Sequence, residues 1–174
     1  MKTIAPKLSA SLAWLALFFG LGSQLSIASA SPSTFSDANW LSLGGFPGAD
    51  GEVFAAVVDG SGNLYIGGAF DAVGNTPANN VAEWNGTNWV ALGSGLNSDV
   101  YALCWTNGML YVGGTFTTAG GIAATNIAEW CDGSWSALGS GMNGSVSALL
   151  VSGGTLYAGG NFTSAGGSGT NYVA

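Results

Sequence analysis

The chain has 174 residues, 48% of them apolar and 30 of them glycine, with nine acidic side chains, two cationic ones and no histidine. Both cations, Lys2 and Lys7, sit at the extreme N-terminus. The remainder cannot neutralise phosphates, which excludes nucleic acid and, by the same sign argument, anionic membrane surfaces as partners. Triads and Cys-His dyads are excluded too, because each needs a histidine or lysine base.

In chain order, Lys2 and Lys7 precede an apolar stretch over about 8–21, then polar residues and the triplet Ala28, Ser29, Ala30. The stretch is shorter than the ~20 residues of a spanning helix, and the triplet suits signal peptidase. Residues 1–30 therefore read as a secretory signal peptide cleaved after Ala30. An uncleaved membrane anchor is the alternative, although no stop-transfer pattern follows. Cleavage leaves nine carboxylates and no cation, a formal charge of −9, on a secreted, extracellular or cell-surface chain.

Residues 31–174 are repetitive. LYIGGAF at 64–70 returns as LYVGGTF at 110–116 and as LYAGGNF at 156–162, a step of 46 residues each time. Trp84 falls on Trp130, Trp89 on Trp135 and Glu83 on Glu129. A looser copy begins at Trp40, 49 residues before Trp89, with extra residues in both turns. Val173 and Ala174 fall on Ile127 and Ala128, so the counterparts of Glu129 and Trp130 are expected next and the sequence reads as a fragment with truncated repeats.

A period of roughly 40 to 50 residues with several short apolar runs predicts an all-β protein, a β-propeller of four-stranded antiparallel blades. Three copies give an incomplete ring, since propellers have about 4 to 8 blades. Within one repeat the strands are expected at 100–106, 110–116, 126–130 and 134–138, a four-stranded meander. Asn85-Gly86, Asn107-Gly108, Asp132-Gly133 and Asn143-Gly144 read as hairpin turns. NWLSLG at 39–44 matches a fourth strand with no earlier strands of its own, and is expected to complete the last blade of the full ring. A parallel β-helix is the alternative architecture; antiparallel pairing within each repeat discriminates against it.

A hydrophobic strand ending in Gly-Gly, then an apolar strand, then Trp before an apolar-polar strand resembles the kelch motif. Gly67-Gly68 with Trp89, and Gly113-Gly114 with Trp135, carry the resemblance, which covers 39–174. The phrasing NIAEWCDGSWSALGSGMNG is similar to repeats of fungal bud-site-selection cortical proteins and of secreted bacterial propeller proteins. Glu-Trp stands where the kelch pattern commonly has Tyr. Galactose oxidase shares this propeller type, but its copper chemistry needs imidazole ligands that are absent here. Physically, the glycine pairs permit close backbone approach, and the Trp series reads as packing between blades. Exposed rings at a loop would instead make a sugar-stacking platform.

Cys104 falls in a first strand and Cys131 in the turn between third and fourth strands. Strands two apart lie about 9.6 Å from each other, beyond the ~7 Å reach of a disulfide, so no intrablade bridge is expected. Two free thiols would be unusual in an exported chain. A glycosidase-type carboxylate pair is formally open. Glu83 and Glu129, however, recur at equivalent positions, which favours a structural role such as accepting turn amides. No catalytic, cofactor-binding or metal-ligating residue is assigned. Calcium is the one metal the composition accommodates, through the loops DGSGN at Asp59 to Asn63 and Asn97-Ser98-Asp99, although both are turn-type sequences first. Sequons stand at Asn85, Asn143 and Asn161, the first two coinciding with Asn-Gly turns.

The expected function is a non-enzymatic binding or interaction module for protein or glycan. A secreted carbohydrate-active or galactose-oxidase-like enzyme with catalytic residues beyond Ala174 is a second reading, and a structural surface array a third. His, Arg or irregular insertions in later repeats would favour the enzyme. Were the chain to end where it does, self-association would be expected to hide its open blade edges.

Overall fold

The computed structural model describes residues 48–174. The signal-peptide reading of 1–30, the copy at Trp40 and the strand expected at 39–44 lie outside the described residues. Those described are all-β, with no helix, and form three successive modules of antiparallel strands.

The first module contains β1 (Glu52–Val58), β2 (Leu64–Ala69), β3 (Ala72–Val73), β4 (Thr76–Pro77), β5 (Val81–Trp84) and β6 (Trp89–Ala91). The second contains β7 (Val100–Thr106), β8 (Met109–Gly114), β9 (Thr118–Ala119), β10 (Ile122–Ala123), β11 (Ile127–Cys131) and β12 (Ser134–Ala137). The third contains β13 (Ser145–Ser152), β14 (Thr155–Asn161), β15 (Ser164–Ala165) and β16 (Ser168–Gly169). The orders β1-β2-β5-β6 and β7-β8-β11-β12 are the expected meanders, antiparallel throughout. In the third module Ala158 and Ala174 exchange main-chain hydrogen bonds of 2.9 and 3.0 Å, beside an isolated antiparallel bridge between Gly159 and Val173.

The strands sit within two residues of their expected positions. Asn126 is excluded from β11 because its φ of 62° is left-handed. Asn107-Gly108 and Asp132-Gly133 make two-residue turns with both residues at positive φ, the type I′ geometry that matches strand twist. Asn143-Gly144 is not a hairpin turn: it lies in the link before β13, and the Asn143 side-chain oxygen accepts from the amides of Thr163 and Ser164, 2.8 Å each. The short hairpins β3/β4, β9/β10 and β15/β16, between second and third strands, were not anticipated. Gly120-Gly121 and Gly166-Gly167 turn two of them, a signal present in the sequence.

The cores lie largely between modules. One cluster combines Tyr65, Val81 and Leu92 of the first module with Val100, Leu110, Phe116 and Trp135 of the second. Each large side chain buried there contributes roughly 1.5–3 kcal/mol, while a second cluster, with Ile66, Phe70, Val73 and Trp89, lies within the first module. Gly67 and Gly113 make the approach close. A Cβ on Gly67 would meet Val100 Cγ1 at 2.4 Å, and one on Gly113 would meet Val146 Cγ1 at 2.5 Å. Each first strand also carries a bulge, at Phe54, Tyr101 and Ser147, the residue skipped by the ladder.

Candidate functional site

A cleft of about 310 Å³ opens between the first and second modules, where the second-to-third-strand connections meet the link from β6 to β7. Asp71, Asn79, Asn80, Ser94, Asn97 and Thr118 line it. A second depression of about 260 Å³ shares Asp71 and Asn80 and adds Asp50 and Asp99.

The local fold fixes these side chains. Asn80 takes φ 64°, which its short polar side chain tolerates, and its Nδ2 donates to the Leu96 carbonyl at 2.9 Å. Asn126 repeats this with Met142 at 2.8 Å, and Tyr172 takes the same φ of 64° in the third module. Asn79 Nδ2 donates to the Ser94 carbonyl at 2.9 Å. Asn97 Oδ1 accepts from the amides of Thr117 and Thr118, both 2.9 Å, while its Nδ2 donates to Thr117 Oγ1 at 2.8 Å. Asp50 does the same work in the first module, its Oδ1 accepting from the amides of Asp71 and Ala72 at 3.0 Å each.

The chemical consequence is a surface rich in acceptors. One of the two Nδ2 hydrogens of each of Asn79 and Asn80 is given to a carbonyl, whereas their side-chain oxygens and the Asp71 carboxylate are not consumed in this way. Phe54 and Tyr101 pack ring to ring at 5.4 Å, and the Tyr101 hydroxyl donates to Oδ2 of Asp99, which lines the second depression, at 3.2 Å. Phe54 is 43% exposed.

The residues singled out from sequence are distributed differently. Asp59 closes the β1–β2 turn, its carboxylate accepting from the amides of Ser61 and Asn63 at 2.8 Å each and from Asn63 Nδ2 at 2.9 Å. Slight desolvation, which raises its pKa, is outweighed by these bonds from Asn63 and Ser61, which hold it below the usual value. Asp59 and Asn97 are thus occupied by their own folds. Among the described residues no three His, Cys, Asp or Glu side chains gather into a metal-holding group.

Glu83 and Glu129 accept no turn amides. They stand opposite Tyr65 and Tyr111 on neighbouring strands, one pair per module. Burial first, then the Glu83 and Asp59 charges, push Tyr65 up to about 12. Burial, Glu129, Cys104 and Cys131 raise Tyr111 in the same direction.

Cys104 and Cys131 are free thiols on β7 and β11, which flank β8. The repeat tryptophans Trp84, Trp89, Trp130 and Trp135 pack in cross-strand pairs rather than form a platform. Trp89 and Trp135 are buried, each tilted against its cross-strand partner, Trp84 at 5.5 Å and Trp130 at 5.2 Å. Of the sequon asparagines, Asn143 has both side-chain atoms engaged, Asn85 Oδ1 accepts from Thr87 and Asn88 amides, and Asn161 is exposed at the end of β14.

Sequence reasoning singled out Asn97 as a calcium candidate but missed Asp71, Asn79 and Asn80, although Asn80 and Asn126, and likewise Asn97 and Asn143, recur 46 apart. No family model, curated protein or solved structure matches this chain.

Proposed function

We propose that this chain is a stretch of kelch-like β-propeller, secreted or displayed at a cell surface, that acts as a non-enzymatic binding module, with a glycan as the ligand its cleft suits best. Two features support the propeller reading. Successive modules pack face to face, and β7 lies against both β1 and β13, so each first strand neighbours the next, as first strands do around an axis. The extracellular setting rests on the signal-peptide pattern alone.

The observation that carries the binding reading is the acceptor-rich cleft lined by Asp71, Asn79 and Asn80. Sugars bring many hydroxyl donors, which match carboxylate and amide oxygens.

Glycan-array screening of the purified chain, followed by calorimetry on the hits, tests this. Binding should fall by about 10- to 100-fold in Asp71→Ala, the cost of one charge-assisted hydrogen bond of roughly 1.5–3 kcal/mol. A chain that binds no glycan, or binds equally well without the Asp71 carboxylate, would refute the assignment.

A further inference from the structure

Every residue that lines the cleft between the first and second modules has a counterpart 46 residues on, between the second and third. The frame that holds these residues is repeated bond for bond. The Leu96 amide donates to the Asn79 carbonyl at 3.1 Å, and the Met142 amide to the Thr125 carbonyl at 3.0 Å. The Gly120 amide donates to the Gly95 carbonyl and the Gly166 amide to the Gly141 carbonyl, 2.8 Å each. Asn80 and Asn126 reach the Leu96 and Met142 carbonyls, while Asn97 and Asn143 hold the amides that lead into the next short hairpin. The link approaches the connection equally closely in both places: a Cβ on Gly95 would meet the Asn79 carbonyl oxygen at 2.4 Å, and one on Gly141 the Thr125 carbonyl oxygen at 2.4 Å.

Both places draw on the same three segments. These are the second-to-third-strand connection of one module, the link after its fourth strand, and the short hairpin of the next module, β9/β10 or β15/β16. The chemistry on this common frame differs at two positions that matter. Thr117 stands for Asp71 and Thr125 for Asn79, whereas Asn80, Ser94 and Asn97 recur as Asn126, Ser140 and Asn143. Thr117, Thr125 and Ser140 are exposed. The second place is therefore neutral, with hydroxyls that both donate and accept where the first has a carboxylate that only accepts.

We infer that the repeat carries a second saccharide subsite between the second and third modules, and that the ligand is an oligosaccharide lying across both places rather than a single sugar. This rests on the glycan reading of the first cleft. Without a charge-assisted bond, the neutral subsite holds a lone sugar more weakly than the Asp71 cleft does. It contributes once the saccharide is anchored next door, because the second contact is then intramolecular. Packed sheets lie about 10 Å apart, a span that a saccharide of a few units covers.

The test uses the strongest hit of the glycan array, titrated calorimetrically as the intact oligosaccharide and as its one- and two-sugar fragments. The intact oligosaccharide should bind at least about 10-fold tighter than the best fragment, with one bound per protein. Thr117→Asp combined with Thr125→Asn gives the second subsite the side chains of the first, so two copies of the best fragment should then bind per protein instead of one. Thr117→Asp alone, with the same expected count, takes its place if circular dichroism shows the double variant unfolded. Fragments that bind as tightly as the intact oligosaccharide, or a folded grafted variant that still binds a single fragment, would overturn the second subsite and leave the first cleft's assignment standing. An array without any hit would remove both.

Discussion

The indole Nε1–H of Trp135 donates to the main-chain carbonyl of Leu92 across 2.8 Å, tying the fourth strand of the second module to the end of the first. The bond is buried, and the ring edge lies 3.5 Å from where a Cβ on Gly93 would stand. The repeated tryptophan is thus a clamp between modules as well as a large apolar body.

Trp135→Phe keeps most of the ring area but leaves the Leu92 carbonyl with only the Gly95 amide, at 3.1 Å. The expected cost is about 0.5–1.5 kcal/mol, that of one net hydrogen bond, read as a lower urea midpoint with an unchanged m value. Stability equal to wild type would show that the ring alone matters.

Gly113→Ala should destabilise by about 1–3 kcal/mol through overpacking against Val146. Gly113→Ala combined with Val146→Ala should recover part of that loss, whereas Gly159→Ala should be nearly silent in a monomeric sample. Denaturant titration of wild type, Gly113→Ala, Val146→Ala and the double variant forms a double-mutant cycle, with Gly159→Ala as its control.

Asn97→Ala removes three hydrogen bonds at an exposed site and should cost about 1 kcal/mol. Asn97→Asp should be better tolerated, because Asp50 holds the equivalent amides with a carboxylate in the first module. Thermal melts of both variants decide the matter; an aspartate no better than alanine would count against side-chain acceptance as the cause.

Tyr65 has a folded pKa of about 12 against an ordinary value of 10.0. The unfolded chain loses this proton first, so the stabilisation is complete below about pH 10 and is lost as pH rises towards 12. Phenolate absorbance near 295 nm should show Tyr65 ionising late, together with unfolding. In Glu83→Gln that ionisation should move to lower pH, since one of the charges opposing it is gone.

Cys131 is raised by desolvation and by the Asp132 and Glu129 carboxylates, which disfavours the thiolate that reacts. Alkylation near neutral pH, followed by peptide mass mapping, should label Cys131 more slowly than an unperturbed thiol. Asp132→Asn should speed it, and an unchanged rate would remove the electrostatic explanation.

The sequence by itself determined the 46-residue module, its four main strands and the Asn107-Gly108 and Asp132-Gly133 turns. These depend on interactions between near neighbours: alternation of apolar side chains, and the ease with which Asn, Asp and Gly enter positive φ. Only the tertiary structure decided which similar-looking residues do different work. Asn143-Gly144 resembles a hairpin turn, yet the Asn143 side chain is drawn to amides 20 and 21 residues away. Glu83 sits beside Tyr65 instead of capping a turn, and the cleft needs Asp71, Asn79 and Asn97 to converge from three separate segments. Gly67 and Gly113 are each covered by a valine of the following module, Val100 and Val146. That cover comes from packing between modules, which no local pattern encodes.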